Sequence, residues 1–333
     1  MNLSVFGAGG WGTALSILLH HNKYKVVLWE YNPEYANTLR EYRENFYFLP
    51  NIKIPKQIKI TNNIEEAVSY SDILVIATPT QYIRKNLSDL RKFNIKGKIF
   101  LSVSKGIEDN TLFTVSELLK DMLNDLKLKI AVLSGPSHAE EVSKGIPTSV
   151  VCASENLKIA KIIQKIFSNK YFRVYTSDDV RGTELGGALK NVIAIASGIA
   201  DGAKFGDNTK AAIMTRGMNE IMRLGVKMGA KMETFFGLSG IGDLIVTCSS
   251  KLSRNRFVGE QIGLGKNLKT VVKEMKMVAE GINTTIAAYK LAKKFKIDLP
   301  IINEVYQVLF NNKSPYEAAK VLMSRPLKKE HYI

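Results

Sequence analysis

The stretch LSVFGAGGWG, residues 3–12, decides the fold, because a short apolar run passes directly into a cluster of glycines. Gly7, Gly9 and Gly12 form the pattern G-x-G-x-x-G. In a strand–turn–helix unit, the first glycine permits a tight turn, the second lets the backbone approach a pyrophosphate, and the third lets the helix pack closely on the sheet. The free N–H groups at the helix start then form an anion site. The stretch therefore predicts a dinucleotide-binding turn.

The first half of the chain alternates short apolar runs with amphipathic segments. Continuous apolar runs of this length are typical of strands in a parallel sheet that is buried on both faces. The predicted strands are Leu3–Phe6, Lys25–Trp29, Ile73–Ala77, Ile99–Val103, Ile130–Leu133, Thr148–Ala153 and Phe172–Tyr175. Helices are predicted between the strands, for example Trp11–Asn22 and Pro33–Asn45. This alternation predicts an α/β fold with a doubly wound sheet of the Rossmann type.

After about Asp178 the strand signals stop, and helical segments dominate from Asp179 through Met323. A chain of 333 residues is long enough for two domains. We therefore predict a dinucleotide-binding domain over residues 1–180 and an all-helical domain over residues 181–333, joined by a continuous helix.

The composition, 45% apolar and 23% charged residues, is ordinary for a soluble globular protein. No apolar run is long enough to cross a bilayer, and the N-terminus lacks the features of a secretory signal. Cys152 and Cys248 are too far apart for a zinc motif, so neither a disulfide framework nor a metal site is predicted. These features predict a cytoplasmic protein.

The formal net charge of +16 is compatible with nucleic acid, an anionic membrane surface or anionic small substrates as partners. The basic residues are scattered, and no block of like charge forms a tail or alternates with aromatic residues. We therefore expect a mostly solvated basic surface that attracts phosphorylated metabolites. No nucleic-acid partner is predicted, and membrane association is expected to be weak and peripheral at most.

Glu30 follows the second predicted strand, where a carboxylate accepts hydrogen bonds from the adenosine ribose hydroxyls. The same carboxylate repels a 2′-phosphate, so the sequence favours NAD over NADP slightly. Arg40 and Arg43 on the next predicted helix offer a site for such a phosphate, although both are also explained as solvated helix residues.

Two polar segments follow neighbouring strands, at the edge of the sheet where ligands bind in open α/β folds. Lys105 lies in SVSKGIE after the fourth strand, as a ligand-binding or a surface lysine. Gly135 and Ser137 follow the fifth strand, and Ser137 is predicted to cap the next helix while its N-terminus faces an anion. His138 is interpreted as a surface or packing residue rather than a general base.

Lys190 lies in the middle of GTELGGALKNVIAIASG, residues 182–198, which is otherwise mostly small and apolar. At helical spacing its neighbours one turn back are Gly186 and Gly187, each of which costs a helix about 1 kcal/mol relative to alanine. We interpret the glycines as room for a nicotinamide or substrate, and the lysine as a proton donor and acceptor for a carbinol oxygen. The alternative is a lysine whose aliphatic stem covers the seam between the domains while its amine reaches water.

Two further segments in the second domain carry polar chemistry. GLSGIGD, residues 237–243, is glycine-rich and ends in Asp243, a carboxylate that could pair with a lysine. Ser253, Arg254 and Asn255 have the pattern of an N-cap followed by a basic first helical turn, which suits a phosphate. The alternative is a polar loop that leads into a helix.

Several motifs together resemble the bacterial NAD(P)-dependent sn-glycerol-3-phosphate dehydrogenase family. They are GAGGWGTA, SVSKGIE, LSGPSHAEEV, ELGGALKNVIAIASGIADG, GLSGIGDLIVTC, SRNRFVG and VAEGINT, which occur in the family's order over nearly the whole chain. The resemblance implies a Rossmann domain followed by a helical domain similar to that of 6-phosphogluconate dehydrogenase. It also implies reversible reduction of dihydroxyacetone phosphate to sn-glycerol 3-phosphate for phospholipid synthesis, by a homodimer.

The resemblance also assigns roles to individual residues. Lys190 is implied as the proton donor and acceptor, with Lys105 and Asp243 as the other catalytic residues. The implied substrate-binding residues are Lys105, Gly135, Ser137, Lys190, Asp243, Ser253, Arg254 and Asn255. The cofactor-binding residues, including the glycine turn, are Gly7, Gly9, Gly10, Trp11, Gly12, Glu30, Tyr31, Lys105, Ala139, Arg254, Val278 and Glu280.

The chain departs from the family pattern at two places. Gly10 stands where the family often has serine, and Glu30-Tyr31 stands where many relatives have a small or basic pair. Glu280 is also explained as a carboxylate near a helix start. The competing hypotheses are a β-hydroxyacid or 6-phosphogluconate-type dehydrogenase of the same fold, and a basic dinucleotide-sensing protein that binds nucleic acid.

Overall fold

The structure is a computed structural model that describes residues 1–124, 127–275, 277–327 and 329–330. The chain forms two compact units. The first contains residues 1–105 and 113–184, and the second contains residues 106–112 and 185–333.

The first unit is built on a sheet whose described part has eight strands. The strands of this unit are β1 (Asn2–Phe6), β2 (Lys25–Trp29), β3 (Glu44–Asn45), β4 (Leu49–Lys53), β5 (Lys59–Thr61), β6 (Ile73–Ile76), β7 (Ile99–Ser102), β8 (Lys129–Ser134), β9 (Thr148–Ala153) and β10 (Phe172–Ser177). The sheet order is β10-β9-β8-β7-β6-β1-β2-β5, and β3 and β4 pair separately. Neighbours are parallel except β8 and β9, which are antiparallel.

Helices cover both faces of this sheet. They are α1 (Gly10–His21), α2 (Pro33–Tyr42), α3 (Ile64–Tyr70), α4 (Thr80–Asn86), α5 (Val115–Leu123), α6 (Ala139–Ser143) and α7 (Leu157–Phe167), with a 3₁₀ turn at Ser88–Lys92. Successive side chains of a strand point to opposite faces. In β6, Ile73 and Val75 therefore join one apolar cluster with α1 and α7, while Leu74 and Ile76 join the other with α3 and α5. The predicted doubly wound fold is confirmed.

The strand order places the glycine turn at a reversal point of the sheet. From β1 the chain continues through β2 to β5 on one side, and β6 then pairs with the other side of β1. Ligands of open α/β sheets bind outside the carboxyl ends of the strands at such a point. The turn after β1 lies there, and the Thr78 hydroxyl after β6 donates to the Phe6 carbonyl at 3.0 Å.

Two local predictions in this unit are wrong. The helix predicted over Pro33–Asn45 ends at Tyr42, because Arg43 adopts a left-handed backbone conformation with φ 52° and Glu44–Asn45 then pairs with β4. The strands β4 and β5 were also not predicted, since LPNIK and KIT are short and interrupted by polar residues. Of these two strands, only β5 belongs to the main sheet, where it forms one edge.

The second unit contains helices and connecting loops, and no strand lies among its described residues. After α8 (Val180–Gly202), which contains the division between the units, the helices are α9 (Asp207–Lys227), α10 (Asp243–Ser249), α11 (Arg254–Gly263), α12 (Leu268–Glu274), α13 (Glu280–Phe295), α14 (Pro300–Phe310) and α15 (Pro315–Met323). A 3₁₀ turn at Met232–Phe236 and a π-helical turn at Leu238–Gly242 precede α10. Apolar residues of α8, α9, α13 and α14 form the core.

The division lies a few residues after the boundary that was predicted near residue 180. It follows Glu184, within α8, and the short segment 106–112 belongs to the second unit, because Ile107 is fully buried in that unit's core. The predicted range 181–333 includes residues 276, 328 and 331–333, which lie outside the described residues. Among the described helices, none combines the length and apolarity that crossing a bilayer requires.

Candidate active site

The three glycines of the motif have three different surroundings. Gly7 has φ +115°, a backbone conformation that residues with a Cβ rarely adopt. A Cβ on Gly12 would lie 2.0 Å from the Gly7 carbonyl oxygen, so α1 starts in direct contact with the turn. A Cβ on Gly9, in contrast, would have no heavy atom within 4 Å. Protein atoms therefore pack against the turn at Gly7 and Gly12, whereas the space beside Gly9 is open.

The residues that follow Gly9 also lie close to one another. A Cβ on Gly10 would be 2.4 Å from the Phe48 carbonyl oxygen and 3.7 Å from the Ala139 Cβ. Trp11 is partly buried against the apolar cluster of the sheet, and its Nε1 has no hydrogen-bond partner among the described residues. The first turn of α1 and the start of α6 are thus neighbours, as expected if Gly10 and Ala139 serve one ligand.

Glu30 holds the glycine turn through its carboxylate. Its Oε2 accepts a hydrogen bond from Ala8 N at 3.2 Å, and its Oε1 accepts one from Asn32 N at 3.0 Å. Burial raises the pKa of the Glu30 carboxyl, while these hydrogen bonds act in the opposite direction. Tyr31 is 49% exposed beside it. Arg43 donates to the Ile58 carbonyl at 2.7 Å, so it is neither a helix residue nor simply solvated.

The structure brings Lys105, Gly135 and Ser137 together after β7 and β8. The Lys105 ammonium group donates to the Gly135 carbonyl at 2.8 Å and to the Ser137 hydroxyl oxygen at 3.4 Å. The prediction that Ser137 caps a helix is wrong. The N-cap of α6 is His138, which makes no side-chain capping bond, and the Ser137 hydroxyl donates to Gly135 instead.

Lys190 is the centre of the polar group in the second unit. Its Nζ lies 3.0 Å from Asp243 Oδ1, and the two side chains are only 7% and 2% exposed. Nζ also donates to the Thr247 hydroxyl oxygen at 2.6 Å, and that hydroxyl donates to the Asp243 backbone carbonyl at 2.6 Å. The lysine is therefore buried in an ion pair, so the alternative, in which its amine reaches water, is wrong.

The space beside Gly186 is filled by the protein itself. A Cβ there would lie 2.5 Å from the Ser239 carbonyl oxygen, within the π-helical turn of GLSGIGD that leads into Asp243. This finding corrects the expectation that Gly186 clears room for a ligand. The glycine instead lets the turn before Asp243 approach the helix turn before Lys190, and so helps to bring the two charged residues together.

The first turn of α11 begins with the predicted N-cap. Ser253 is the N-cap, and its hydroxyl oxygen accepts a hydrogen bond from Arg256 N at 3.2 Å. Arg254 is exposed and donates to the Val278 carbonyl at 3.0 Å. Arg254 and Val278, which the sequence analysis assigned to one cofactor, are therefore in contact.

The Asn255 side chain is engaged in protein contacts. It donates to Asn191 Oδ1 at 2.8 Å and accepts from Gly281 N at 2.9 Å, which ties α8, α11 and α13 together. Glu280 is the first residue of α13, so its carboxylate lies at a helix start as the alternative proposed. The side chain of Asn255 thus positions the elements that carry Lys190 and Glu280.

Sequence reasoning missed three residues at these sites. Thr247 contacts the Lys190 amine, Asn191 contacts Asn255, and Asn45 contacts the glycine turn. The i, i+4 spacing of Asp243 and Thr247 on one helix face was a usable signal. Asn45 had none, since it was assigned to the end of a helix.

A separate cavity of about 760 Å³ lies within the second unit. Its walls are formed by α8, α9, α14 and α15, with residues such as Ile199, Ile213 and Val305. Among the described residues that line it, none is a residue to which the sequence analysis gave a ligand-binding role. The cavity therefore does not belong to the Lys190 group.

Comparison with known proteins gives consistent matches along the chain. Residues 2–160 match the family model of the NAD-dependent glycerol-3-phosphate dehydrogenase N-terminus, and residues 179–320 match that of the C-terminus. A glycerol-3-phosphate dehydrogenase [NAD(P)+] of Fusobacterium nucleatum is 50% identical over 333 residues, which is 99% of this chain and 98% of the relative. The enzyme of that name from Chlorobium phaeobacteroides is 46% identical over 100% of both chains.

A solved structure agrees with these matches. The crystal structure of glycerol-3-phosphate dehydrogenase from Coxiella burnetii has a TM-score of 0.94 and 33% identity, and the similarity covers 97% of this chain and 99% of that one. The chain belongs to the family of NAD-dependent glycerol-3-phosphate dehydrogenases.

Proposed function

We propose that this chain catalyses the reversible, NAD(P)H-dependent reduction of dihydroxyacetone phosphate to sn-glycerol 3-phosphate, which supplies the backbone of phospholipids. The observation that carries the proposal is the buried amine of Lys190, 3.0 Å from the Asp243 carboxylate and within hydrogen-bond distance of Thr247. Burial of an ammonium group is costly unless it is paired. A group kept at such cost is typical of catalytic chemistry.

The first unit fits a dinucleotide. The open backbone at Gly9 and the N–H groups of the first turn of α1 suit a pyrophosphate, as expected of a helix start after a glycine turn. The residues that would hold the cofactor are those named from the sequence, including Gly10, Trp11 and Glu30 in this unit and Arg254, Val278 and Glu280 in the other. When bound, the nicotinamide supplies the hydride, and the protein supplies position and charge.

In the proposed reaction, the Lys190 amine contacts the carbonyl oxygen of the substrate. As hydride reaches the carbonyl carbon, negative charge develops on the oxygen, and the ammonium group stabilises it and donates a proton. Asp243 keeps the lysine in place as its counter-charge, and Thr247 fixes the direction of a second N–H bond. In the oxidative direction, the same amine accepts the proton from the carbinol.

Each unit offers the substrate phosphate cationic and N–H-rich groups. In the second unit these are Ser253, Arg254 and the backbone of Asn255 at the start of α11, where N–H groups and the helix dipole favour an anion. In the first unit Lys105, Gly135 and Ser137 form the corresponding group. Holding the phosphate uses binding energy to orient the reacting carbon.

The experiment that tests the function is a spectrophotometric assay of dihydroxyacetone phosphate reduction with NADH and NADPH in parallel. We expect turnover with this ketone, and none with 6-phosphogluconate or β-hydroxyacids in the oxidative direction with NAD and NADP. Turnover of one of the latter substrates without reduction of dihydroxyacetone phosphate would contradict the proposal.

We further propose a preference for NADH, supported by the Glu30 carboxylate at the end of β2. Glu30→Gln keeps the size of the side chain and removes its charge. It should lower the ratio of kcat/KM with NADH to kcat/KM with NADPH. An unchanged ratio would contradict this assignment.

The proposed setting is a cytoplasmic homodimer without a nucleic-acid partner. Sedimentation equilibrium gives the mass in solution, and a monomer at all concentrations would exclude the dimer. Because the chain carries a net charge of +16, weak adsorption to anionic vesicles is expected at low salt only. Vesicle sedimentation at two ionic strengths measures it, and binding that survives high salt would contradict a purely electrostatic association.

A further inference from the structure

The peptide groups on the two sides of Ala8 are each held by a side chain from outside the glycine turn. The Ala8 N–H donates to Glu30 Oε2 at 3.2 Å, and the Ala8 carbonyl accepts a hydrogen bond from Asn45 Nδ2 at 2.8 Å. Ala8 occupies a position of the G-x-G-x-x-G motif at which any residue is allowed, and its side chain is not polar. Its backbone is nevertheless bound on both sides.

The contact with Asn45 determines where the next amide points. The carbonyl of Ala8 and the N–H of Gly9 belong to one planar trans peptide group, so they point in opposite directions. Because the carbonyl is directed at Asn45, the Gly9 N–H is directed away from Asn45. Gly9 is the position of the turn that has open space around it. Because the direction of the Gly9 N–H group is already fixed, it does not have to reorient when an anion binds.

The hydrogen-bond partners of Asn45 determine the orientation of its side-chain amide. It is completely buried, and Nδ2 also donates to the Thr13 hydroxyl oxygen at 2.8 Å. Its Oδ1 accepts from Phe48 N at 3.1 Å and from the Tyr35 hydroxyl. The Phe48 N–H can only donate, so the atom facing it must be the amide oxygen, and the amide nitrogen must face Ala8. Both amide hydrogens are therefore used, and the orientation of the amide is unambiguous.

We propose that Asn45 is a positioning residue for the dinucleotide, because it orients the Gly9 N–H toward the cofactor's pyrophosphate. The inference rests on the proposed function, since it assumes that the glycine turn binds a dinucleotide. It assigns to the hairpin of β3 and β4, which the sequence analysis did not predict, a part in the cofactor site.

The test compares Asn45→Asp with a matched variant, Asn22→Asp. The ionised aspartate keeps the shape of asparagine but cannot donate to the Ala8 carbonyl. Asn22 makes the same kinds of bond at the other end of α1, where Nδ2 donates to the carbonyls of Ile166 at 2.8 Å and Phe167 at 3.1 Å. Because Asn22 is only partly buried, loss of these bonds should lower stability less than at Asn45, and it should not disturb the turn.

Two measurements are made on each variant. Fluorescence titration gives the Kd of NADH, and hydrogen–deuterium exchange of the free protein reports the amides of the turn over residues 7–13. For Asn45→Asp we expect an increase in Kd of about tenfold or more, as for the loss of a hydrogen bond to a preorganised site, and faster exchange in the turn. For Asn22→Asp we expect a Kd within about twofold of wild type.

Wild-type Kd and wild-type exchange in a folded Asn45→Asp variant would overturn the inference. An equal loss of NADH affinity in Asn22→Asp would also overturn it, because the effect would then be one of general stability. If Asn45→Asp does not fold, the Asn45 side-chain amide of the wild-type protein is observed by ¹⁵N-labelled NMR. Slow solvent exchange of both hydrogens supports the inference, and rapid exchange overturns it.

The same titration separates this inference from the proposed function. Failure of the wild-type protein to bind either NADH or NADPH would contradict the proposed function. Wild-type NADH binding together with an unaffected Asn45 variant would contradict only the role of Asn45.

Discussion

Lys190 Nζ and Asp243 Oδ1 lie 3.0 Å apart with both side chains almost completely buried, and the two residues come from different helices, α8 and α10. A buried ion pair is weak evidence for stability by itself, because the desolvation of both charges offsets most of their attraction. The pair is better explained by the chemistry of the amine. Three predictions test this explanation and the structure around it, and a fourth concerns a second buried carboxyl, that of Glu220.

Lys190→Met should lose nearly all turnover and keep its affinity for the cofactor. The methionine fills the space of the lysine stem but cannot donate a proton, so we expect kcat to fall by about 10³-fold, within the range for loss of a general acid. The Kd of NADH, measured by fluorescence, should stay close to wild type because the glycine turn is unchanged. Lys227→Met, at an exposed position of α9, is the control and should retain full activity. Wild-type kcat in Lys190→Met would exclude the lysine from catalysis.

A double-mutant cycle should show strong coupling between Lys190 and Asp243. Asp243→Leu alone leaves a buried ammonium group without its counter-charge, which should cost about 3–5 kcal/mol of unfolding free energy. The double variant Lys190→Met/Asp243→Leu leaves no buried charge without a counter-charge, so it should be more stable than Asp243→Leu. Urea unfolding measures the four proteins, and additive effects would mean that the ion pair does not form in solution.

Gly186→Ala should destabilise the protein even though alanine is the better helix former. Helix propensity alone favours alanine by about 1 kcal/mol. The new Cβ, however, would lie 2.5 Å from the Ser239 carbonyl oxygen and displace the turn that leads to Asp243. We expect a lower melting temperature and a reduced kcat. Since the two effects have opposite signs, a melting temperature at or above that of wild type would show that the backbone contact is absent.

Glu220 should make the stability of the protein depend on pH. Burial raises the pKa of this carboxyl from 4.5 to about 7 in the folded protein, although its oxygens accept N–H groups of Ile301 and Ile302 at 2.8 and 3.1 Å. A raised pKa means that the folded state favours the protonated form. The contribution to stability is therefore fully present below pH 4.5 and is lost as the pH rises through about 7.

The control for this prediction is Glu220→Gln, which cannot ionise. Urea unfolding between pH 4.5 and 8 should show a loss of up to about 3 kcal/mol in wild type that is absent from the variant. The variant also loses an acceptor for one of the two N–H groups, so its absolute stability is not the readout. Identical pH slopes for the two proteins would show that Glu220 does not titrate in this range.

The parts of the fold that could be predicted from sequence are those with strong local patterns. β2 and β9 were predicted with their observed bounds, since continuous apolar runs end abruptly at polar residues there. The end of α2 was wrong because it depends on a left-handed Arg43 and on the partners of Asn45, which are distant in sequence. The antiparallel pairing of β8 with β9 could not be read from either strand alone.

The site shows the same limit. Ser253 was identified as an N-cap because capping is a local interaction with a local signature. Ser137 had the same local signature, but Lys105 and Gly135, from two neighbouring strand ends, engage it instead. The role of Gly186 depends on a contact with Ser239, which is more than fifty positions away. No rule of sequence spacing predicts such a contact.

The short segment 106–112 has a practical consequence for dissecting the protein. A truncated gene that starts at residue 185 would encode the helices of the second unit without Ile107, leaving a hole in their core, and without the Asp109 carbonyl that accepts a hydrogen bond from Lys290 at 2.8 Å. The complementary fragment, residues 1–184, would carry that heptapeptide with its apolar side chains exposed. Neither half can be obtained by a single cut, so independent expression of the helical half requires grafting residues 106–112 onto it through an added linker.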